Sequence, residues 1–298
     1  VRMAKLLHSL ETLAEEAEKE KRKEDDETAD NIRTAQDETG VEDNATTIRI
    51  TDAELANLSS SPEKVWEHIE ALKGGAIYGR EDVKRIARAA CAVTLREPSL
   101  VDLTNRCQNG GDLKTVTVVG DLHGHFQCSL VKILDMLGEE RMKDGGSPWN
   151  GTGAVVFNGD FVDRGTNSIE VLIALLLLKL AYPNNVYLNR GNHEDSVIAE
   201  VYGCKDELQG RYDGDKGVQD IWKEFLDLFS SLPLAVLTNS AVIMHGGLPS
   251  TDFRLEQIAQ ISSEERFRIK TMVDPAGSDE TCKLVQNIMW SDPHPESD

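Results

Sequence analysis

Apolar and polar residues follow one pattern in the first part of the chain and another in the second. In the first part, apolar residues recur at helical spacing and predict a helix over residues 81–95. Thr51 and Glu54 have the spacing of a capping box, so an earlier helix is expected to begin there. We therefore predict a helical lead-in over residues 51–110.

The second part of the chain repeats a short apolar run, a polar loop and a helical segment. Runs at 115–119, 154–157 and 186–188 predict buried strands, and each opens into a loop of Gly, Asp, Asn and His. Strands that alternate with helices are typical of a parallel sheet, whose loops leave at one edge. A further strand is predicted over 241–244, directly before His245.

The first fifty residues differ in charge from the remainder. They contain 14 acidic and 8 basic side chains, and a nearly continuous charged run covers residues 18–30. Apolar residues at helical spacing between Leu6 and Ala17 predict a short amphipathic helix before that run. We interpret residues 1–50 as a charged N-terminal extension, partly helical or disordered, and as a candidate binding region for a regulatory protein.

The composition narrows the classes of partner. The 298 residues include 52 acidic against 32 basic side chains, a formal net charge of −20. Such a polyanion repels nucleic acid and anionic lipid, so no nucleic-acid or membrane partner is expected. The longest apolar run, 171–178, is shorter than the roughly 20 residues of a spanning helix and predicts a core helix. Five cysteines without a Cys-x-x-Cys pair predict an intracellular location, cytoplasmic or nuclear.

The four polar loops carry side chains that bind metal ions in proteins. These residues are Asp121, His123, Asp160, Asn192 and His245. A mixed set of oxygen and nitrogen ligands suits Mn, Fe or Zn better than Ca. A carboxylate can bridge two ions, and an ion pair can activate a water for attack on phosphorus. The loops therefore predict a site for two divalent metal ions and a phosphate ester as substrate.

Three further side chains in these loops fit phosphate-ester hydrolysis. His193 adjoins Asn192 and can protonate the leaving oxygen. Asp163 can fix the orientation of that imidazole, and Arg164 can hold a phosphate through its two-pronged guanidinium. One such loop alone is weak support for a site, because similar sequences often form ordinary turns. Four in order, each after a predicted strand, make a structural coincidence implausible.

The motifs resemble the signature sequences of the PPP family of serine/threonine phosphoprotein phosphatases, and most of all its protein phosphatase 5 branch. The resemblance covers roughly residues 85–295. The motifs are GDLHG at 120–124, GDFVDRG at 159–165, RGNHE at 190–194 and HGGL at 245–248.

The resemblance implies a metal ligand set shared between two ions. Asp121, His123 and Asp160 would hold the first ion, and Asp160, Asn192 and His245 would hold the second. Asp160 would be the bridge between them.

The resemblance also implies the fold and the activity. The fold would be α/β, a calcineurin-like metallophosphoesterase β-sandwich with flanking helices, and residues 111–298 would form the catalytic domain. The activity would be hydrolysis of phosphoserine and phosphothreonine on proteins by a metal-activated water. His193 would be the proton donor with Asp163 as its partner, and Arg164 and Asn192 would contact the phosphate.

The family carries further residues after the segment that corresponds to 290–293: another Arg, a His ligand and a Tyr. We therefore expect the catalytic domain to be incomplete at its C-terminus, with part of the second sheet missing. Two alternatives remain open. The chain could be a degenerate phosphatase that binds phosphoproteins without turnover, or a metallophosphoesterase that acts on nucleotides.

Overall fold

The computed structural model describes residues 46–107, 112–140, 149, 152–212, 214–249, 253–273 and 279–291, and the structural statements below concern these residues. The amphipathic helix and the charged run predicted before residue 46 lie outside the described residues. From Thr46 onward the chain groups into one compact unit.

Short strands alternate with helices through most of this unit. The strands are β1 (Thr47–Ile48), β2 (Ile77–Tyr78), β3 (Leu100–Asp102), β4 (Thr115–Val119), β5 (Gly153–Phe157), β6 (Val186–Leu188), β7 (Ala235–Leu237) and β8 (Val242–Met244). The helices are α1 (Asp52–Asn57), α2 (Val65–Lys73), α3 (Arg80–Thr94), α4 (Thr104–Cys107), α5 (Val131–Glu140), α6 (Ser168–Ala181), α7 (Ile198–Val201), α8 (Cys204–Arg211), α9 (Gly214–Ser231), α10 (Leu255–Gln260), α11 (Ser263–Arg268) and α12 (Glu280–Trp290).

The first sheet has the order β4–β5–β6, and its strands are parallel, as predicted. Val119 is in register with Phe157, and Phe157 is in register with Leu188. All three strands therefore end at the same level. Because parallel strands present their following loops at one edge, the three polar loops start side by side.

A second sheet has the order β3–β7–β8, in which β3 and β7 are parallel and β8 is antiparallel to β7. The strand predicted before His245 thus exists as β8, but it belongs to this sheet and not to the first. Strands β3 and β7 were not predicted. Each is only three residues long, Leu-Val-Asp and Ala-Val-Leu, and so short a segment carries no periodicity that separates strand from helix.

The two sheets pack face to face. Val156 and Tyr187 of the first sheet share an apolar cluster with Val101, Val236 and Ile243 of the second. Helices cover the other face of the first sheet, so the fold is an α/β sandwich with flanking helices, as the resemblance implied. Strand β3 lies within residues 51–110, which were predicted to be a helical lead-in. The boundary at residue 110 between this lead-in and the catalytic domain stays a prediction.

Helix α6 contains the apolar run and is buried along its whole length. Its single charged residue near the end, Lys179, pairs with Glu97 and also donates to the carbonyl of Val186 at 2.8 Å. These bonds satisfy a fully buried ammonium group, which would otherwise oppose burial of this helix. Within the described ranges, no helix is both long and apolar enough to cross a membrane.

The lead-in begins as its sequence predicts. The N–H of Glu54 donates to the hydroxyl of Thr51 at 3.2 Å, and the N–H of Thr51 donates to the Glu54 carboxylate at 2.7 Å. This reciprocal pair is a capping box, and it fixes the start of α1. Helix α3 packs against α6 and α9, which places the lead-in on the helical side of the sandwich.

Candidate metal centre and active site

The loops after β4 and β5 adopt a backbone conformation that is uncommon for side-chain-bearing residues. Among the described non-glycine residues, the positive φ angles belong to His123 (40°), Asp160 (54°), Asp163 (73°) and Arg164 (64°). Left-handed conformations of this kind cost about 1–3 kcal/mol each and persist only where the surrounding structure holds them. All four are predicted site residues, so the strain is concentrated where the chemistry is expected.

Glycines allow the loops after β5 and β6 to touch. A Cβ atom on Gly191 would lie 2.4 Å from both the N and the Oδ1 of Asp160. A Cβ on Gly159, whose φ is +87°, would lie 2.5 Å from the Cα of Gly191. No residue larger than glycine fits at these two positions, because backbone atoms occupy the space.

Asp160 lies at the centre of the cluster and is 3% exposed. Its Oδ2 is 3.5 Å from Nε2 of His123, and its Oδ1 is 3.3 Å from Nε2 of His245. The two oxygens of one buried carboxylate thus face two different imidazoles. This is the placement that a carboxylate needs to bridge two ions.

Both imidazoles are oriented by backbone carbonyls. The Nδ1 of His123 lies 3.0 Å from the carbonyl of Val162, and the Nδ1 of His245 lies 2.8 Å from the carbonyl of Asn158. A carbonyl only accepts, so each Nδ1 carries the proton and each Nε2 is left for a ligand bond. Burial lowers the pKa of His123.

The pKa of His245 moves in the other direction. Burial alone would lower it, but the hydrogen bond and the negative charge of Asp160 raise the pKa of His245 to about 9. A proton on Nε2 therefore occupies the position where a cation is expected.

Of the two remaining predicted ligands, Asp121 lies within 4.8 Å of Asp160 and His245. The side chain of Asp121 is 56% exposed, and its Oδ2 is 3.7 Å from Nε2 of His123. The Oδ1 of Asn192 and the Nε2 of His123 are buried without a hydrogen-bond partner in the described part of the chain. Buried polar atoms rarely stay unpaired, so these two atoms fit ligands for a cation. The donor set of carboxylate, imidazole and amide suits a divalent transition metal.

The structure brings four of the five predicted ligands together, and it groups them differently from the expected pairs. One cluster contains His123, Asp160 and His193, and another contains Asp121, Asp160 and His245, each with ligand atoms within 4.8 Å of one another. Asp160 is common to both clusters. The division of the remaining ligands between two ions stays a prediction.

His193 and Asp163 form a buried pair. The Nδ1 of His193 lies 2.7 Å from Oδ2 of Asp163, and the other carboxylate oxygen accepts the N–H of Cys204 at 2.9 Å. Burial raises the pKa of Asp163, and the hydrogen bond with His193 acts against this rise. The ring of Tyr202 packs edge-on against His193 at 5.2 Å between centroids. The imidazole therefore has one fixed orientation.

Arg164 lies on the solvent side of this pair. Its side chain is exposed, and one terminal nitrogen is 3.0 Å from Nε2 of His193. The backbone N–H of Arg164 donates to the carbonyl of Tyr202 at 3.2 Å. A guanidinium beside the outward nitrogen of His193 can hold an anionic group next to that nitrogen.

Glu194 lies in one of the motifs, but no role was predicted for it from the sequence. This residue is fully buried and accepts the N–H groups of Asp160, Phe161 and Gly191 at 2.8, 2.8 and 2.9 Å. Burial and the nearby charge of Asp160 raise the pKa of Glu194 to about 7. Glu194 fastens the two glycine-joined loops together. Its position after the His of the motif was the only signal available.

Known proteins resemble this chain over much of its length. Serine/threonine-protein phosphatase T of Saccharomyces cerevisiae is 35% identical over 209 residues, which are 67% of this chain and 37% of the yeast protein. Serine/threonine-protein phosphatase 5 of Homo sapiens is 37% identical over 188 residues, 62% of this chain and 32% of the human protein. The chain thus spans about a third of the length of these curated relatives.

A solved structure of a serine/threonine phosphatase also resembles this chain. It is a serine/threonine phosphatase from Saccharomyces cerevisiae with similarity to human phosphatase PP5, with 34% sequence identity and a TM-score of 0.56. The match covers 74% of this chain and 61% of that chain. These comparisons confirm the resemblance to the PPP family and to its type 5 branch.

A family model described as calcineurin-like phosphoesterase matches residues 114–297. This range contains both clusters around Asp160 and the pair of His193 with Asp163. The match covers more than half of the chain, and the family implies divalent metal ions at the site. The chain therefore belongs to the calcineurin-like phosphoesterase family.

Proposed function

We propose that this chain hydrolyses phosphoserine and phosphothreonine esters on proteins. The observation that carries the proposal is the placement of Asp160, whose two oxygens face His123 and His245 while the buried pair of His193 and Asp163 lies beside it. The names of the matched relatives, serine/threonine phosphatases, support the substrate class.

Two divalent ions, with Mn, Fe or Zn as the candidates, would be held at this centre. Asp121 and His123 would bind on one side of Asp160, and Asn192 and His245 on the other. The buried oxygen of Asn192 and the buried Nε2 of His123 support this assignment, since neither has a hydrogen-bond partner among the described residues. When bound, such ions supply positive charge to the phosphoryl oxygens and make a coordinated water more acidic.

His193 would give a proton to the leaving serine or threonine oxygen. An alkoxide is a poor leaving group, so proton transfer to it raises the rate by a factor of about 10² to 10⁴. Asp163 accepts from Nδ1 and leaves Nε2 as the atom that faces the substrate. The buried Asp163 and the ring of Tyr202 both contact the imidazole and keep it in that orientation.

Arg164 would hold the phosphate. Its exposed guanidinium lies 3.0 Å from Nε2 of His193, so an anion bound to Arg164 places its ester oxygen near the proton donor. Bidentate pairing with phosphate fixes orientation as well as charge. Asn192 would contribute a second contact from the opposite loop.

A side-by-side assay tests this proposal. The chain is loaded with Mn²⁺ and given a phosphoserine peptide, a phosphothreonine peptide and a dinucleoside polyphosphate. Release of phosphate from the peptides and not from the dinucleotide supports it. Turnover of the dinucleotide alone would show a nucleotide phosphoesterase, and peptide binding without turnover would show a binding module. Asp160→Asn is the control, because it should abolish turnover of any substrate at this centre.

Two further parts of the proposal rest on composition. Five cysteines without a Cys-x-x-Cys pair support action inside the cell, and the net charge of −20 supports the expectation of no nucleic-acid or membrane partner. A regulatory protein is proposed to bind through the N-terminal extension. Deletion of residues 1–45 followed by co-purification tests that part, and unchanged partner recovery would contradict it.

A further inference from the structure

Asp195 directly follows the RGNHE loop and has a fully buried carboxylate. Its Oδ1 accepts the N–H groups of Val197 and Ile198 at 2.9 and 3.3 Å, where α7 begins. Aspartate in this position satisfies backbone donors that a helix start leaves unpaired. No role was predicted for this residue from the sequence.

The same carboxylate also reaches a distant part of the chain. We name residues 269–272 the backing segment. Its Thr271 hydroxyl donates to Oδ1 of Asp195 at 3.0 Å, and its Met272 N–H donates to Oδ2 at 2.5 Å. Asp195 therefore accepts four hydrogen bonds, two from the start of α7 and two from the backing segment.

Two neighbours of Asp195 join the same segment. The guanidinium of Arg190 donates to the carbonyl of Ile269 at 2.7 Å, and the N–H of Ser196 donates to the carbonyl of Lys270 at 3.0 Å. The RGNHE loop is thus fastened to the backing segment at both ends. On its other side, Glu194 fastens the loop to the N–H of Asp160.

We propose that Asp195 is a positioning residue, which acts through the loop to hold the His193 ring in its working place. The inference rests on the proposed function, since it assigns His193 the role of proton donor. On the side that faces Asp160, the loop is held by Glu194 and by the N–H of His193, which donates to Oδ1 of Asp160 at 3.0 Å. On the opposite side, Asp195 accepts two of the hydrogen bonds that join the loop to the backing segment. Its loss weakens this attachment and lets the His193 ring shift away from the ester oxygen.

A comparison of two substrates separates positioning from general stability. In p-nitrophenyl phosphate the leaving group needs no proton, whereas the alkoxide of a phosphoserine peptide does. Misplacement of His193 should therefore affect only the second substrate strongly. Asp195→Asn keeps the shape but exchanges one acceptor for a donor that faces buried N–H or O–H groups, and Thr271→Val removes a single bond to Asp195.

The matched control is Asp227→Asn. Asp227 also contacts the backing segment, through Nζ of Lys270 at 2.8 Å, but its other carboxylate oxygen accepts from Lys223 of α9 and not from the loop. In the Mn²⁺-loaded chain, we expect Asp195→Asn to lower kcat on the phosphoserine peptide by about 10- to 100-fold and kcat on p-nitrophenyl phosphate by less than about threefold. Thr271→Val should shift the ratio of the two kcat values, phosphoserine peptide over p-nitrophenyl phosphate, in the same direction by a smaller factor. Asp227→Asn should leave this ratio unchanged.

An equal loss on both substrates in Asp195→Asn, or no loss, would overturn the inference. If Asp195→Asn does not fold, Thr271→Val decides by the same ratio. If the wild-type chain hydrolyses neither substrate, the proposed function fails, and the imidazole proton between His193 and Asp163 becomes the readout by NMR. Its resonance should move in Asp195→Asn and Thr271→Val but not in Asp227→Asn, and an unmoved resonance in the first two overturns the positioning role.

Discussion

The Nδ1 of His193 lies 2.7 Å from Oδ2 of Asp163, and both side chains are closed off from solvent. The second oxygen of Asp163 is held by the N–H of Cys204, so the carboxylate cannot turn away from the ring. One proton position on His193 is therefore fixed by the fold, before any substrate arrives. This pair makes the proton-donor role testable by a single isosteric change.

Asp163→Asn should lower kcat on a phosphoserine peptide by about 10²-fold or more, because an amide presents a donor where His193 needs an acceptor. Steady-state kinetics on the metal-loaded chain measures this. Asp82→Asn is the matched control, since Asp82 is also buried and accepts the N–H of Ile50 at 3.2 Å in the lead-in. It should lower the free energy of unfolding and leave kcat intact. Equal kcat losses in the two variants would count against the role of His193.

The raised pKa of His245 predicts how the metal-free protein responds to pH. The pKa is about 9 in the folded chain and 6.5 in the unfolded one, so the folded state keeps a proton that the unfolded state loses. This stabilisation is complete below pH 6.5 and disappears as pH rises through 9. The free energy of unfolding should fall by about 3 kcal/mol over that interval.

Urea unfolding in the presence of a chelator at pH 6.5 and pH 9 measures this difference. His245→Gln should flatten the dependence, because glutamine does not titrate. A wild-type slope that persists unchanged in His245→Gln would assign the pH effect to another group. Mn²⁺ should reverse the trend, because a cation competes with the proton for Nε2 and binds better as pH rises.

Gly191→Ala should abolish metal binding while the protein still folds. The new Cβ would lie 2.4 Å from Asp160, which must move, and Asp160 is the carboxylate common to both ligand clusters. Gly210→Ala in α8 is the control, because a Cβ there meets no atom within 4 Å. That variant should gain about 0.5–1 kcal/mol of stability from helix propensity and keep its metal. Calorimetric titration with Mn²⁺ compares the two, and tight binding by Gly191→Ala would refute the prediction.

Thr51→Ala should lower the free energy of unfolding by about 1 kcal/mol, the usual contribution of a capping side chain. The change removes the acceptor for the N–H of Glu54 at the start of α1. Activity should be unaffected, since α1 belongs to the helical side of the fold. Chemical denaturation gives the stability difference, and a matching loss of kcat would indicate that the lead-in acts on the site.

The strands that could be predicted differ from the others in having a local sequence signal. Strands β4, β5 and β6 and the ligands that follow them were predictable, because an apolar run that opens into Gly, Asp, Asn and His gives a local signal. Strands β3 and β7 were not, since neither opens directly into such a loop and a short strand without one is defined by its partner. Asp160 could be named as a bridge only through the family resemblance.

Residues that act at long range were the hardest to identify. Asp195 is bonded to Thr271 and Met272, more than seventy positions away, and no local pattern announces such a contact. The same holds for Glu97, which becomes the partner of the buried Lys179. Sequence patterns identify groups that bind or react, whereas the groups that hold them in place emerge only from the folded chain.

The common level at which β4, β5 and β6 end has a consequence for how the centre acquires its ions. Three of the four ligand loops start from this one sheet, and Glu194 ties two of them together through backbone N–H groups. The ligands are therefore gathered when the chain folds and not when a cation arrives. Loading should be a local event with little change in backbone order, unlike a zinc finger, which folds around its metal. A chelated sample should keep its secondary structure and regain its ions at a rate set by their diffusion and dehydration.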